Sequence, residues 1–476
     1  MTQSITQRTK FIKMPVRILI ILFSFLSLLG CETQAHSASP LVPHVSSKME
    51  VPRFWMNKIK NPDQLLLTSL EIEKMNQKNL IREDLLLCKI EEMKEEWTRG
   101  EILTFLEEDW AVFGKTREAR YGREGTPLGD FFWNELRKNI HQDGLKEKNR
   151  LLFGFTTRRT DIRVFPTETF SLDTPAHREF DRFQHSSIAP GSLIGIFHLS
   201  LDHLWAYVQV PFIRGWIQTK DMAIAKDKGE VVEREEIKDP LVVTGNAVKV
   251  YEDPLFQRLA FSAPMGATFP IIHLPEEAKI AKSSYVIKIP FREKDSRLTF
   301  RKGYIPKKDD VHYGFLPYTQ KNLAHQAFRM LHQPYGWGEM SGGRDCSRFI
   351  MDLFNVFGIL MPRNSNLQAS LGIPLGPLEG KTDEEKKKIL DQAIPLATLL
   401  RMPGHIMLYL GKDSGRHYAI HSIWGIQVKG STGLQTQRIG KVIVSDLSLG
   451  STGPGGSLLH RLTEIQIVGS EFKIEK

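Results

Sequence analysis

Hydrophobic and polar positions change period several times along this 476-residue chain. Residues 18–30, "ILIILFSFLSLLG", form one apolar run, preceded by Arg8, Lys10, Lys13 and Arg17. Residues 32–50 are Ser/Pro-rich and have no period. From 51 to 145 apolar residues recur at helical spacing, as in Ile102, Phe105, Leu106 and Trp110, which predicts a mainly helical segment. Near 152 the period drops to two: "GFTTRRTDIRVFPTE", "GSLIGIFHLSLDHLWAYVQV" and "IRGWIQTKDMAIA" alternate between Gly, Pro and Asp breaks. Short alternating runs of that kind predict a small barrel, and "GNAVKVYEDP" to "RKGYIPKKD" predicts a second. The charged stretch 226–239 reads as a connector between them.

After 318 the order is helix first, then strands. "YTQKNLAHQAFRMLHQ" predicts one helix, and Phe349, Ile350, Leu353, Phe354 and Phe357 form the stripe of a buried second helix ending at Gly358. "HIMLYLG", "HYAIHSIWG", "KVIVSDLS" and "LTEIQIVG" predict an antiparallel sheet, making this part α+β. Residues 380–392 read as an exposed insertion. The chain is therefore expected to be multidomain: leader 1–30, tether 31–50, helical segment 51–150, barrels at 151–226 and 240–310, and an α+β domain at 318–474.

Composition adds little. The chain is 41% hydrophobic and 25% charged, with a formal charge of +9, which favours an anionic neighbourhood. No phosphate-loop or dinucleotide glycine pattern, zinc-spaced cysteine set or His-Glu-x-x-His run occurs, so neither a metal nor a cofactor is implied and nucleic acid has only the charge in its favour. The leader says more. A basic stretch before a short apolar one is a signal-peptide pattern, too short to span a bilayer comfortably. It ends in "LLGC", which resembles a bacterial lipoprotein cleavage site. That resemblance implies a cut between Gly30 and Cys31, lipid on Cys31, and residence in the cell envelope. Glu32 after the cysteine would direct it to the outer membrane, facing the periplasm, in a cell that has one.

Two cysteines remain. Cys88, spaced with Leu80, Ile81, Leu85 and Leu87, reads as a core residue of a helix, and a disulfide with Cys346 is not expected. Cys346 opens the second buried helix of the last domain, with Asp345 as its N-cap. Free amides and the positive end of the helix dipole there favour a thiolate. A nucleophilic thiolate needs a base, itself held by a third group. "GHIMLYLGKDSGRHYAIHSIWG" reads as a hairpin turning near Asp413, which sets His405 opposite His421 on one face, with His417 the lesser candidate.

"YGWGEMSGGRDCSRF", "PGHIMLYLG" and "AIHS" together resemble the NlpC/P60 family of papain-like cysteine peptidases, and "W-x-x-V" at Trp205 followed by "GWI" at Gly215 resembles bacterial SH3-like domains. The resemblance implies Cys346 as nucleophile, His405 as base, His421 as the group orienting it, and the Tyr335 hydroxyl beside the sulfur. It implies peptidoglycan stem peptides as substrate, cut between γ-D-glutamate and a diamino acid. A subgroup with the same domain series acts on stems with a free N-terminal L-alanine. It implies Asp345 and Ser347 as substrate-binding residues and an acid from the first SH3-like domain, for which Glu168 and Asp202 are candidates. Arg348 departs from the small residue usual there, and is expected to narrow the cleft. The rival readings are a non-catalytic, lipid-anchored wall-binding protein and another papain-like amidase or acyltransferase.

Overall fold

The computed structural model describes residues 42–115, 118–235, 239–275, 279–430 and 433–469. The leader, Cys31 and most of the tether lie outside the described residues. Residues 152–224 build a seven-stranded antiparallel sheet in the order Met222–Ile224, Leu152–Thr156, Leu193–Leu199, Trp205–Val210, Ile213–Gln218, Thr160–Arg163, Gln184–Ile188. Its central strand Trp205–Val210 is buried at every position rather than at alternate ones. The reason is cover on both faces. Trp205, Tyr207 and Trp216 pack with Ile102, Leu106, Trp133 and Leu136 of the N-terminal helices, while Ala206, Val208 and Val210 join the core that holds Phe349 and Ile350. The second barrel forms from a three-stranded sheet around Leu241–Val243 and a four-stranded one containing Ala247–Tyr251 and Ser284–Arg292.

The last domain is a six-stranded antiparallel sheet ordered Ile373–Pro374, Glu464–Ile467, Thr398–Met402, His405–Asp413, Arg416–Gly430, Gly433–Asp446. Helix Cys346–Asn355 packs on strands His405–Asp413 and Arg416–Gly430 and is buried from Cys346 through Phe354. Burial this complete goes beyond the five-residue stripe legible in the sequence, because the first barrel covers the side that would otherwise face water.

Three expectations need correction. The N-terminal segment is mainly helical, but it serves two hosts. Helix Pro52–Met56 and strand Leu65–Leu67 lie on the last domain, with Leu65–Leu67 pairing Tyr318–Thr319. Helices Arg99–Phe113 and Asp130–Asn139 cover the first barrel, where Tyr207 donates to Asp109 at 2.8 Å. Cys88 is in no helix: the turn Glu83–Leu85 ends at Leu86 with φ 56°, and the Cys88 amide then bonds Pro211 O. Its thiol is free and half-buried, and burial pushes it up to about 12. Residues 380–392 are mostly exposed, as expected, but they are ordered. They hold helix Asp383–Leu390, with a capping box at Thr382 and Glu385, Leu390 buried, and the buried Lys386 ammonium donating to His460 O and Leu462 O. The connector 226–239 carries helix Lys228–Glu235, whose Val231 is buried in the first-barrel core.

Candidate active site

Cys346 begins its helix as expected, and Asp345 caps it by accepting from the Arg348 amide at 2.8 Å. The backbone N–H groups of Ser347 and Ile406 are directed at the sulfur and favour its anion. Burial works against them and dominates, with the Asp345 carboxylate adding to it, so the thiol is pushed up to about 12. The dipole argument alone had predicted a thiolate. In the resting protein the sulfur keeps its proton.

The histidines lie on adjacent strands of the hairpin, but diagonally. Register runs Leu408↔Ile420 and Tyr409↔Ala419, then shifts at a bulge before Gly411↔Tyr418. Asp413 pairs Arg416, so the chain turns at Ser414–Gly415 rather than at Asp413, and beyond the bulge this register sets His421 across from Met407 instead of His405. Both histidines keep the same face, and a diagonal pair is within reach of long or aromatic side chains. His405 Nε2 and His421 Nδ1 lie 2.7 Å apart, and His421 Nε2 meets Ser445 Oγ at 2.9 Å. That spends the far nitrogen of His405 and leaves Nδ1 for the cavity. Burial, and then the charge of Arg461, hold His405 down at about 4; burial, and then His405, hold His421 well below its ordinary value. Both rings are neutral at pH 7. His417 is elsewhere, bonded to the Tyr409 hydroxyl at 2.8 Å.

Cys346, His405 and Tyr335 line one cavity of about 500 Å³. Burial and the nearby Asp345 and Cys346 push the Tyr335 hydroxyl well above its ordinary value, which keeps it a proton donor. One wall is aromatic: Phe180 meets Trp337 and Trp424 edge-on, each at 5.5 Å between ring centres. Phe180 belongs to the long loop between strands Thr160–Arg163 and Gln184–Ile188 of the first barrel. That loop is pinned from both ends. Arg163 bonds Asp181 at 2.6 Å, and Trp337 Nε1 donates to Asp181 O at 3.0 Å. The turn 449–456 also lines the cavity and closes on strand Arg416–Gly430 at Gly453. A Cβ at Gly453 would lie 2.2 Å from Gln427 O.

Asp345 and Ser347 do not line this cavity. They sit behind Cys346 in a buried network of three acids and three arginines: Glu339, Asp345, Asp352, Arg344, Arg348 and Arg363. Arg363 grips Asp345 at 2.6 and 3.3 Å, donates to Ser347 Oγ at 2.7 Å, and meets Glu339 at 2.9 Å. Burial pushes the Asp345 carboxyl up, but Arg363 and the donors around it outweigh that and hold it below its ordinary value. Arg348 does not narrow the cleft. It bridges Glu339 at 2.7 Å, Asp352 at 2.5 Å and Ser187 O of the first barrel at 3.0 Å. Glu339 also accepts from Ser186 and Ser187. Glu168 bonds Gln218, and Asp202 closes a turn with Ser200 and Asn139; neither lines the cavity. What the barrel contributes there is Phe180. Among the described residues, no group of three or more His, Cys, Asp or Glu is placed to hold a metal.

A cysteine at the start of a helix, packed on an antiparallel sheet that supplies an imidazole and its polar partner, defines a papain-like cysteine peptidase domain. More narrowly, residues 332–444 match the model of the NlpC/P60 family, and residues 172–218 that of an SH3 domain of SH3b1 type; the chain carries an NlpC/P60 domain behind an SH3 domain. An NlpC/P60 endopeptidase from Photobacterium damselae subsp. piscicida is 18% identical at a TM-score of 0.69, over 87% of this chain and 96% of its own, a likeness of fold. An NlpC/P60 family protein from Bacillus cereus is 14% identical over 67% of this chain and 100% of its own, with a TM-score of 0.47. No curated protein sequence matches the chain.

Proposed function

We propose that this protein is an envelope cysteine endopeptidase that cuts peptidoglycan stem peptides between γ-D-glutamate and the following diamino acid. The observation that carries the reading is Cys346 and His405 on one cavity, with His421 bonded behind His405. His405 takes the thiol proton as the sulfur attacks the amide carbonyl, so no charge is stored in the resting site. The helix-start amides stabilise the oxyanion. His405 then gives its proton to the leaving amine, and water releases the acyl-enzyme. The Tyr335 hydroxyl is a further donor at the same wall.

The preference for a free N-terminal L-alanine rests on shape. Asp345 already has Arg363 as its counter-ion, so it is not the group that meets the substrate amine. The Phe180–Trp337–Trp424 wall supports a short substrate end, since a chain continuing to a glycan would need that wall to open. Cys31, if lipidated, would hold the enzyme at a membrane surface of the envelope.

Digestion of a free stem tripeptide, its N-acetylated form and intact sacculus, with products read by mass spectrometry, tests this. Release of L-Ala-γ-D-Glu from the free tripeptide above all is expected. Cleavage at another bond, or none, would remove the reading, and equal rates on the acetylated form would remove the free-end preference.

A further inference from the structure

The cavity shared by Cys346 and His405 is lined by one cation and no carboxylate. The cation is Arg461, the exposed last residue of the short helix Leu458–Arg461. Its neighbours have anionic partners: His460 lies 3.4 Å from Asp383, and Arg401 2.7 Å from Glu464. Among the described residues Arg461 has none; its amide bonds Ser457 O and its side chain runs past the turn, where a Cβ on Gly455 would lie 3.6 Å from Arg461 Cδ. An unpaired guanidinium in a concave site with no competing acid attracts anions, carboxylates above all, because its planar donors fit a carboxylate in pairs.

Its position relative to the reacting atoms follows from the cavity lining, which it shares with His405, the adjoining Pro403 and Gly404 and the turn 449–456. Its charge is the foremost one acting on His405, whereas the foremost charges acting on Cys346, Asp345 and Arg363, lie outside the cavity. His405 is the group that hands a proton to the leaving amine, so the leaving residue lies on His405's side of the sulfur. Arg461 is therefore beside the residue that follows the scissile bond.

We propose that Arg461 is a specificity residue that pairs with a side-chain carboxylate on that leaving residue, so that the enzyme prefers a diamino dicarboxylate such as diaminopimelate over a diamino monocarboxylate such as lysine. This rests on the peptidase reading above and adds the identity of the leaving residue to it. A charge-assisted pair in a partly enclosed site is worth at least about tenfold in kcat/KM. Most of it should fall in KM, because the carboxylate is as well bound before the reaction as during it.

The test uses three tetrapeptides, L-Ala-γ-D-Glu-X-D-Ala, in which X is diaminopimelate, its side-chain amide, or lysine. The α-carboxyl of X is then always in a peptide bond, so only the side-chain carboxylate differs. The wild-type chain should favour the first peptide over the other two at least tenfold. Arg461→Gln should bring that ratio close to one, and Arg461→Lys should keep part of it. Equal rates on all three peptides, or a preference that survives in Arg461→Gln, would overturn the proposal while leaving the peptidase reading in place. Failure to cut any of them would instead strike the peptidase reading itself. Because the wild-type ratio alone decides the first point, a poorly folded variant does not rescue the idea.

Discussion

At the scale of single residues the site is a neutral pair held ready. Cys346 keeps its proton because burial and Asp345 raise the thiol to about 12, and His405 lacks one because burial and Arg461 lower it to about 4. Cys346→Ala and His405→Ala should each lower kcat/KM by about 10^4-fold or more while the melting transition stays near wild type; turnover surviving in Cys346→Ala would exclude covalent catalysis by this residue. His421→Ala should cost roughly a hundredfold, as it orients rather than reacts. The pH profile should follow His405: activity rises with pH through about 4 as its imidazole loses a proton, and an acid limb near the ordinary 6.5 would contradict the buried neutral ring. Cys346 and the two histidines were legible in the sequence because a helix cap and a two-residue period fix where they point, whereas Tyr335 came only from the family resemblance. The ion pair of Asp345 was not, since Arg363 lies 18 positions on in an aperiodic loop. Phe180 and Arg461 were missed for the same reason. Each is set by a turn whose course depends on tertiary contacts.

Among elements, the loop Trp337–Gly342 does the joining. Gly338 has φ 52°, and a Cβ there would lie 2.7 Å from Gln184, so only glycine lets this loop meet the first barrel. The next residue, Glu339, enters the barrel with Ser186 and Ser187 on one side and Arg348 and Arg363 on the other. Removing one member of a buried pair strands the other charges, so Glu339→Ala should cost about 3–5 kcal/mol in a urea unfolding experiment. A loss below about 1 kcal/mol would mean water replaces the carboxylate there. The hairpin shows how far periodicity reaches. It placed both histidines on one face, yet the turn falls at Ser414–Gly415 rather than Asp413, which makes them diagonal; the bulge between Tyr409 and Gly411 then keeps them on one face, and a bulge leaves no mark in an alternation of apolar residues. The error at Cys88 has the opposite origin. Leucines at helical spacing were read as a helix, whereas Leu86 turns the backbone left-handed and the following residues are bound to Val210 and Pro211.

For the whole molecule, burying uncharged histidines makes stability depend on pH. His185, His405 and His417 fall from 6.5 to about 4 through burial, and burial holds His421 well below 6.5 too. For these bases the unfolded chain takes up protons first, so their contribution is complete above about pH 6.5 and is lost as pH falls toward 4. Asp109 opposes this: burial raises it to about 7, and burial raises Asp221 and Asp309 as well, so these carboxyls favour the fold at low pH. Four histidines outweigh these three aspartates, and the melting temperature should drop between pH 6.5 and 4, with His417→Gln flattening the slope. A constant melting temperature over that range would show that these rings are hydrated. That an SH3 domain precedes an NlpC/P60 domain was legible, because each change of period is local. How they pack was not, since it depends on surfaces such as the two faces of Trp205–Val210 that a one-dimensional pattern does not distinguish.

The N-terminal strap on the last domain has a consequence for timing. Tyr418 donates to His44 O across 374 positions, its ring lies 5.3 Å from that of Trp55, and Lys58 reaches Asp413 at 2.7 Å. Residues 44–58 of the nascent chain thus rest against the histidine hairpin, which is made more than 340 positions later. Contacts this distant in sequence are slow to form. The strap has nothing to dock on until the hairpin exists, so the catalytic sheet receives its outer cover only after the whole polypeptide has been delivered to one place.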